Sequence, residues 1–310
     1  MLGDISKPSQ GVYILRGVTS QRVSPLAAVL LLLVSILSIQ SGASLAKSLF
    51  PVLGAAGTSA LRLAIAAGIL AAVWRPWRLR REHLSAQGLR AIVAYGLALG
   101  AMNLSYYLAL ERLALGLTVA LEFTGPLAVA LLGSRRLLDV AWATLAGVGI
   151  VLILPLTSAS SGVDPVGAVL ALIAGACWAL YIVFGQRAGA HAHSGTVTSI
   201  GMLVAATLVL PFGIWDAGMK LLDPRLLPLG LGVAVLSSVL PYSLEMITLK
   251  NLPARNFGIL LSLSPAIAAL SGLVFLDERL SALQWIAIGC VVAASVGSSV
   301  RWFPRGAPAG

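Results

Sequence analysis

The chain has 310 residues, of which 58% are hydrophobic and 10% are charged, and its mean hydropathy is +0.95. A soluble domain normally carries about 25% charged residues, so this composition excludes a soluble globular protein. The net charge of +10 does not indicate a nucleic-acid partner, because the basic residues lie between apolar runs, where they set membrane topology. Long apolar runs favour helices over a β-barrel. We therefore predict an all-α polytopic membrane protein.

Ten apolar runs follow one another along the chain, and each is about long enough to cross a bilayer as a helix. A cleaved signal peptide is the alternative for the first run, but that run exceeds the usual apolar length of about 7–15 residues. The predicted spans cover residues 25–46, 56–74, 89–110, 114–133, 138–156, 166–185, 195–215, 226–248, 254–275 and 281–300.

The basic residues predict the orientation of these spans. With the N-terminus inside, fifteen Lys and Arg residues fall in cytoplasmic segments, five fall on the other side, and Arg62 lies within a span. Cytoplasmic loops carry the excess of Lys and Arg in inner-membrane proteins. We therefore expect both termini in the cytoplasm.

The two halves of the chain resemble each other. Pro126 and Pro265 are 139 residues apart, and the same shift superposes the apolar segments around them. Each half has an odd number of spans, so the halves would enter the membrane with opposite orientations, which is typical of transporters. The predicted organisation is an N-terminal segment (1–24), two five-helix repeats (25–156 and 166–300) joined by a loop (157–165), and a tail (301–310).

The run 114–133 contains a single acidic residue, Glu122, four positions before Pro126. An ionised carboxylate at membrane depth costs on the order of 2.5–3.5 kcal/mol, so its presence indicates a function. Proline has no N–H to bond the carbonyl four residues back, so Pro126 also frees the carbonyl of Glu122. Arg62 enters the membrane from the same side. A pair between Arg62 and Glu122 would be either structural or a means of holding an amino acid's two charged groups.

Other polar and aromatic residues within the spans are candidates for a substrate-binding or proton-coupling site. Trp178 and Tyr181 in the sixth span can instead serve packing or interface anchoring. Glu245, near the cytoplasmic end of the eighth span, can instead be solvated. Together with Arg62 and Glu122, the predicted site residues are Gln40, Asn103, Trp178, Tyr181 and Glu245.

Several further features have structural interpretations. Ser41, Ser44 and Ser48 share a face of the first span, which favours helix packing, and Lys47 lies near its outer end, where a long side chain reaches the surface. The predicted helix kinks are at Pro126, Pro241 and Pro265.

No catalytic motif is recognisable, and we expect no enzyme activity, cofactor or metal. A Walker A sequence, a strand-associated GxGxxG loop and an HExxH pair are all lacking. His191 and His193 lie in a predicted loop without nearby Cys or acidic ligands, so they give little support to a metal site.

Five stretches carry a family resemblance. Over residues 25–300 the chain resembles ten-span EamA-type members of the drug/metabolite transporter superfamily, and more narrowly the bacterial inner-membrane threonine/homoserine exporters. The resemblance implies export of threonine, homoserine and related small amino acids against proton entry. The stretches are SIQSGASLAKSLFP (38–51), ALRLA (60–64), VALEFTGPLAVAL (119–131), GACWALYIVFGQRAGA (175–190) and LPYSLEMI (240–247).

We therefore expect alternating access by two inverted repeats around a central cavity, with an amino acid, protons and the lipid bilayer as partners and no nucleic acid. Export of aromatic amino acids, drugs or other metabolites is an open alternative. A membrane-embedded enzyme or sensor is the alternative from another functional class.

Overall fold

The computed structural model describes residues 24–78, 85–132, 137–153, 163–192, 194–241, 244, 248 and 260–302. All regular secondary structure in these ranges is helical. The helices are α1 (Pro25–Lys47), α2 (Phe50–Trp74), α3 (Ala86–Leu110), α4 (Leu115–Glu122), α5 (Thr124–Leu132), α6 (Leu137–Ile153), α7 (Pro165–Gly189), α8 (Ser194–Ala217), α9 (Leu227–Ala234), α10 (Ser264–Leu276) and α11 (Ala282–Trp302).

Five of these helical segments are long and apolar enough to cross a membrane, and five more are shorter but apolar. Each of the ten predicted spans overlaps one of these ten segments, so the prediction of an all-helical membrane fold is confirmed. The long segments are Leu26–Lys47, Phe50–Trp74, Ala86–Leu110, Pro165–Gly189 and Gly195–Leu222.

The fourth predicted span is two helices. α4 ends at Glu122, Phe123 forms a turn, and α5 begins at Thr124. In the ninth span a similar turn at residues 262–263 precedes α10. Pro126 and Pro265 each lie in the first turn of the following helix, where a missing N–H costs no hydrogen bond. These two prolines therefore lie two or three residues after a helix break, at the positions where we predicted kinks.

The eighth span also departs from regular α-helix. α9 continues into a π-helical turn, Val235–Val239, which ends two residues before Pro241. The Ser38 hydroxyl in α1 donates to the Leu236 carbonyl at 2.8 Å, so this turn is tied to α1. π-Turns often occur at functional sites. The predicted kink at Pro241 adjoins residues 242 and 243, which lie outside the described residues.

The start of α2 depends on a glycine. Gly54 has φ +67° and interrupts the helix, so the regular part begins close to residue 56, where the sequence predicts it. Beyond the interruption, Asp216 Oδ2 accepts from the Ala56 N–H at 3.0 Å and the Gly57 N–H at 3.3 Å. A Cβ on Gly54 would lie 2.0 Å from Asp216 Oδ2, so the cap requires glycine there.

The helices pack around a central space. α2 packs against α8, α3 against α7 and α8, α11 against α6, and α10 against α1 and α4. Their contacts are made largely by Ala, Leu and Gly, which let helix backbones approach closely in a membrane. The arrangement brings α1, α3, α4, α7 and the start of α10 to the walls of one cavity.

Candidate functional site

A cavity of about 340 Å³ lies among the helices. Six of the seven predicted site residues line it, whereas Glu245 lies outside the described residues. Most of the wall is apolar, as in small-molecule sites that use a few placed polar groups for recognition. The polar and aromatic lining residues are Gln40, Arg62, Asn103, Tyr106, Tyr107, Glu122, Trp178, Tyr181, Ser237 and Ser264.

Arg62 is buried and held in a fixed position. Its Nη2 donates to Asn103 Oδ1, and Asn103 Nδ2 in turn donates to the Leu99 carbonyl at 2.8 Å. The guanidinium carbon lies 5.0 Å from the centre of the Tyr107 ring, in range of a cation–π interaction. Arg62 Nε has no hydrogen-bond partner among the described residues. The cation is thus positioned by neutral groups and retains donor capacity for an anion.

Glu122 is 7% exposed and ends α4 at the helix break. Within the described part of the chain, no side chain or backbone N–H hydrogen-bonds to its carboxylate, and Arg62 does not approach it within 4.0 Å. The direct ion pair that the sequence suggests is therefore not formed, since Arg62 is held by Asn103 and Tyr107. Both charged residues nevertheless line the same cavity.

Close backbone contact brings α7 against the helix break. A Cβ on Gly125 would lie 1.8 Å from the Gly175 carbonyl oxygen, and a Cβ on Gly175 would lie 2.7 Å from the Glu122 carbonyl oxygen. Only glycine at both positions permits this approach. Gly175 lies one turn before Trp178, so the contact brings the next turn of α7 to the cavity wall.

Trp178 and Tyr181 line the cavity and also pack against other aromatic rings. The Trp178 ring meets Phe123 edge-on with centroids 5.4 Å apart, and Tyr181 packs against Tyr95 with centroids 4.8 Å apart. Both residues therefore pack against neighbouring rings and line the cavity, two roles that we had treated as alternatives.

Gln40 connects α1 to the start of α10. Its Nε2 donates to the Ser264 carbonyl at 3.4 Å, while its buried Oε1 accepts no hydrogen bond from any residue that the structure describes. One turn along α1, the Ser44 hydroxyl donates to the Gln40 carbonyl at 3.0 Å, and Ser48 similarly donates to Leu45. These two serines satisfy their own helix, in agreement with a structural role.

Sequence reasoning missed Ser237, which lines the cavity from the π-turn. Its position four residues before Pro241 was an available signal, because proline frees the carbonyl at that spacing. Within the described ranges, no group of three or more His, Cys, Asp or Glu residues could hold a metal ion. His191 is exposed after α7, and His193 lies outside the described residues.

Asp164 caps α7 at the opposite end of the helix from His191. Its Oδ1 accepts from the Val166 N–H at 2.8 Å, and its Oδ2 accepts from Arg112 Nη1 at 2.9 Å. The Arg112 hydrogen bond, followed by the backbone bond from Val166, lowers the pKa of Asp164 from its ordinary value of 3.8. Asp164 is therefore a structural group outside the cavity.

Comparison with known proteins identifies the family. Residues 165–300 match the EamA-like transporter family. The threonine/homoserine exporters RhtA of Salmonella typhimurium (strain LT2) and Escherichia coli (strain K12) are 53% and 52% identical to this chain over 272 residues, which is 88% of this chain and 91% of theirs. A crystal structure at 20% identity, with a TM-score of 0.57, covers 90% of this chain and 98% of its own and shows the fold alone. The chain therefore belongs to the EamA-like transporter family, whose members are multi-pass inner-membrane transporters and not enzymes.

Proposed function

We propose that this protein exports small amino acids, above all L-threonine and L-homoserine, by alternating access coupled to proton entry. The observation that carries the proposal is that Arg62 and Glu122 line one cavity without pairing with each other. An amino acid carries one positive and one negative group, which these two residues can neutralise together. The exporters named above, which share about half of their residues with this chain, are the reason for choosing threonine and homoserine.

The carboxylate of the substrate would pair with Arg62. A guanidinium offers several donors in a planar fork that suits a carboxylate, and Arg62 Nε is unpartnered in the part of the chain that the structure describes. Asn103 would keep the guanidinium oriented toward the substrate, because the Asn103 side-chain amide is itself held by a hydrogen bond to the Leu99 carbonyl. The ammonium group would pair with Glu122, and the cavity of about 340 Å³ lies at the small end of the range for small-molecule sites.

Proton coupling would follow from competition at Glu122. A buried carboxylate is costly when its charge is uncompensated, so either a proton or an ammonium group must neutralise it. If the substrate is released outside and a proton takes its place, the return of the empty transporter carries that proton inward. This exchange needs a single carboxylate and no further titratable group.

The movement would be a rocking of two inverted five-helix repeats, residues 25–156 and 166–300, with both termini in the cytoplasm. Support comes from the helix breaks at residues 123 and 262–263, which are 139–140 residues apart and both adjoin the cavity. The family match begins at residue 165, close to the start of the second repeat. Substrate sites of such transporters lie where broken helices of the two repeats meet.

A substrate panel in proteoliposomes tests this proposal. An imposed proton gradient should drive threonine and homoserine in the direction opposite to the proton flow, and each should compete with the other. Aromatic amino acids and cationic drugs should neither move nor compete. Arg62→Gln should lose this transport. Transport of the aromatic compounds without competition by threonine would refute the substrate assignment.

A further inference from the structure

We infer that Lys47 and Glu278 form the outer gate of the transporter, an inference that rests on the alternating-access function proposed above. Glu278 lies in the connection between α10 and α11, and Lys47 is the last residue of α1. The two residues are 231 positions apart, in opposite halves of the chain. Neither belongs to the cavity, and their contacts lie beyond its outer edge.

The gate is a compact set of polar contacts. Lys47 Nζ lies 2.5 Å from Glu278 Oε1 and donates to the Leu113 carbonyl at 3.0 Å. Glu278 Oε2 accepts from the Leu115 N–H, the first N–H of α4, at 2.7 Å. Both charges also suit the helix ends they approach, a cation at the C-terminus of α1 and a carboxylate at the N-terminus of α4. One ion pair thus joins α1, α4 and the α10–α11 connection.

The gate lies directly beyond the cavity. Ala43 of α1 and Val119 of α4 line the cavity. Lys47 lies one helical turn, about 6 Å, beyond Ala43, and Leu115 lies the same distance beyond Val119. Ala43, Val119 and Leu115 belong to one buried apolar cluster, which also includes Ala268 of α10. The outer closure therefore has an apolar layer next to the cavity and a polar layer above it.

Opening the cavity to the outside between these helices requires the polar layer to separate. The Lys47 and Glu278 side chains are 22% and 15% exposed, so water at the rim can solvate both charges and the released backbone groups. A fully buried pair would pay a much larger cost on opening, and a fully exposed pair would add little to closure. This intermediate burial suits a contact that must form and break in every cycle.

A cysteine-accessibility experiment tests the gate. The reporter is Ala43→Cys in a full-length protein carrying Cys177→Ser and Cys290→Ser, labelled in oriented membrane vesicles with a membrane-impermeant maleimide. Glu278→Gln removes the charge but retains an oxygen for the Leu115 N–H, and Lys47→Met removes the cation. Each should raise the labelling rate from the outer side by at least about fivefold, while labelling from the cytoplasmic side stays equal or falls.

Arg279→Gln is the matched control. Arg279 lies next to Glu278, but its contact with Asp277 is 3.7 Å long and both side chains are more than 80% exposed, so its removal should leave labelling unchanged. Unchanged outer labelling in both gate variants would overturn the inference. Equal increases from both sides would also overturn it, because they indicate a loosened fold. The readout needs no substrate, so its failure is distinguishable from a wrong assignment of threonine.

Discussion

The glycine contact between α7 and the helix break makes a prediction that can be worked from distances. In Gly125→Ala, the separation between the new Cβ and the Gly175 carbonyl oxygen must grow from 1.8 Å to about 3.4 Å, an ordinary van der Waals contact. In Gly175→Ala, the corresponding separation from the Glu122 carbonyl oxygen starts at 2.7 Å. Both obstacles are backbone atoms, which cannot rotate away.

The expected energies follow from this geometry. Overpacking costs about 1–3 kcal/mol, and alanine regains about 0.5–1 kcal/mol over glycine within a helix. We therefore expect Gly175→Ala to lower the free energy of unfolding by about 1 kcal/mol and Gly125→Ala by about 2 kcal/mol or more. Gly68→Ala is the control, because within the described part of the chain no atom lies within 4 Å of its Cβ position apart from its own helix backbone and its two chain neighbours, and it should be neutral or stabilising.

Thermal unfolding of the purified protein in one detergent measures these differences, with shifts of about 2–4 °C per kcal/mol. The predicted order of Tm is Gly68→Ala highest, then Gly175→Ala, then Gly125→Ala. Equal Tm values for Gly125→Ala and Gly68→Ala would refute the close backbone approach.

Three further predictions concern Arg62, α2 and α7. Asn103→Leu should raise the KM for threonine about tenfold through loss of the Arg62 hydrogen bond, while binding of threonine amide, which lacks the carboxylate, should not change; an equal loss for both compounds would contradict the positioning role. Asp216→Ala should cost about 0.5–2 kcal/mol of stability, and Asp216→Asn should restore most of it; failure of asparagine to do so in thermal unfolding would count against the cap. The lowered pKa of Asp164 means that its charged form stabilises the fold above pH 3.8 and that this contribution is lost as pH falls through the depressed pKa. Asp164→Asn should therefore flatten the acid end of a stability–pH profile, and an unchanged profile would reject this origin.

Much of the fold and of the candidate site could be predicted because the membrane makes polar residues conspicuous. Gln40, Arg62, Asn103 and Glu122 were predicted for one site from their position in apolar runs, and they line one cavity. A helix break next to Pro126 was likewise predictable, since the missing N–H acts locally.

The remainder depends on contacts between distant segments. Lys47 looked like a residue that reaches the surface, because nothing near it in sequence reveals Glu278 in the other half of the chain. Asp216 is similarly 160 residues from the Ala56 N–H that it accepts from. The position of Arg62 beside Asn103, and away from Glu122, also depends on how α2 packs against α3, which hydropathy does not report.

The central claim is that Glu122 binds either a proton or the substrate's ammonium group. The most direct measurement is threonine flux in proteoliposomes with an imposed pH gradient, comparing the wild-type protein, Glu122→Gln and the control Glu111→Gln, whose residue is exposed at the end of α3. We predict gradient-driven flux for the wild type and for Glu111→Gln, and none for Glu122→Gln. Full gradient-driven flux in Glu122→Gln would contradict the account.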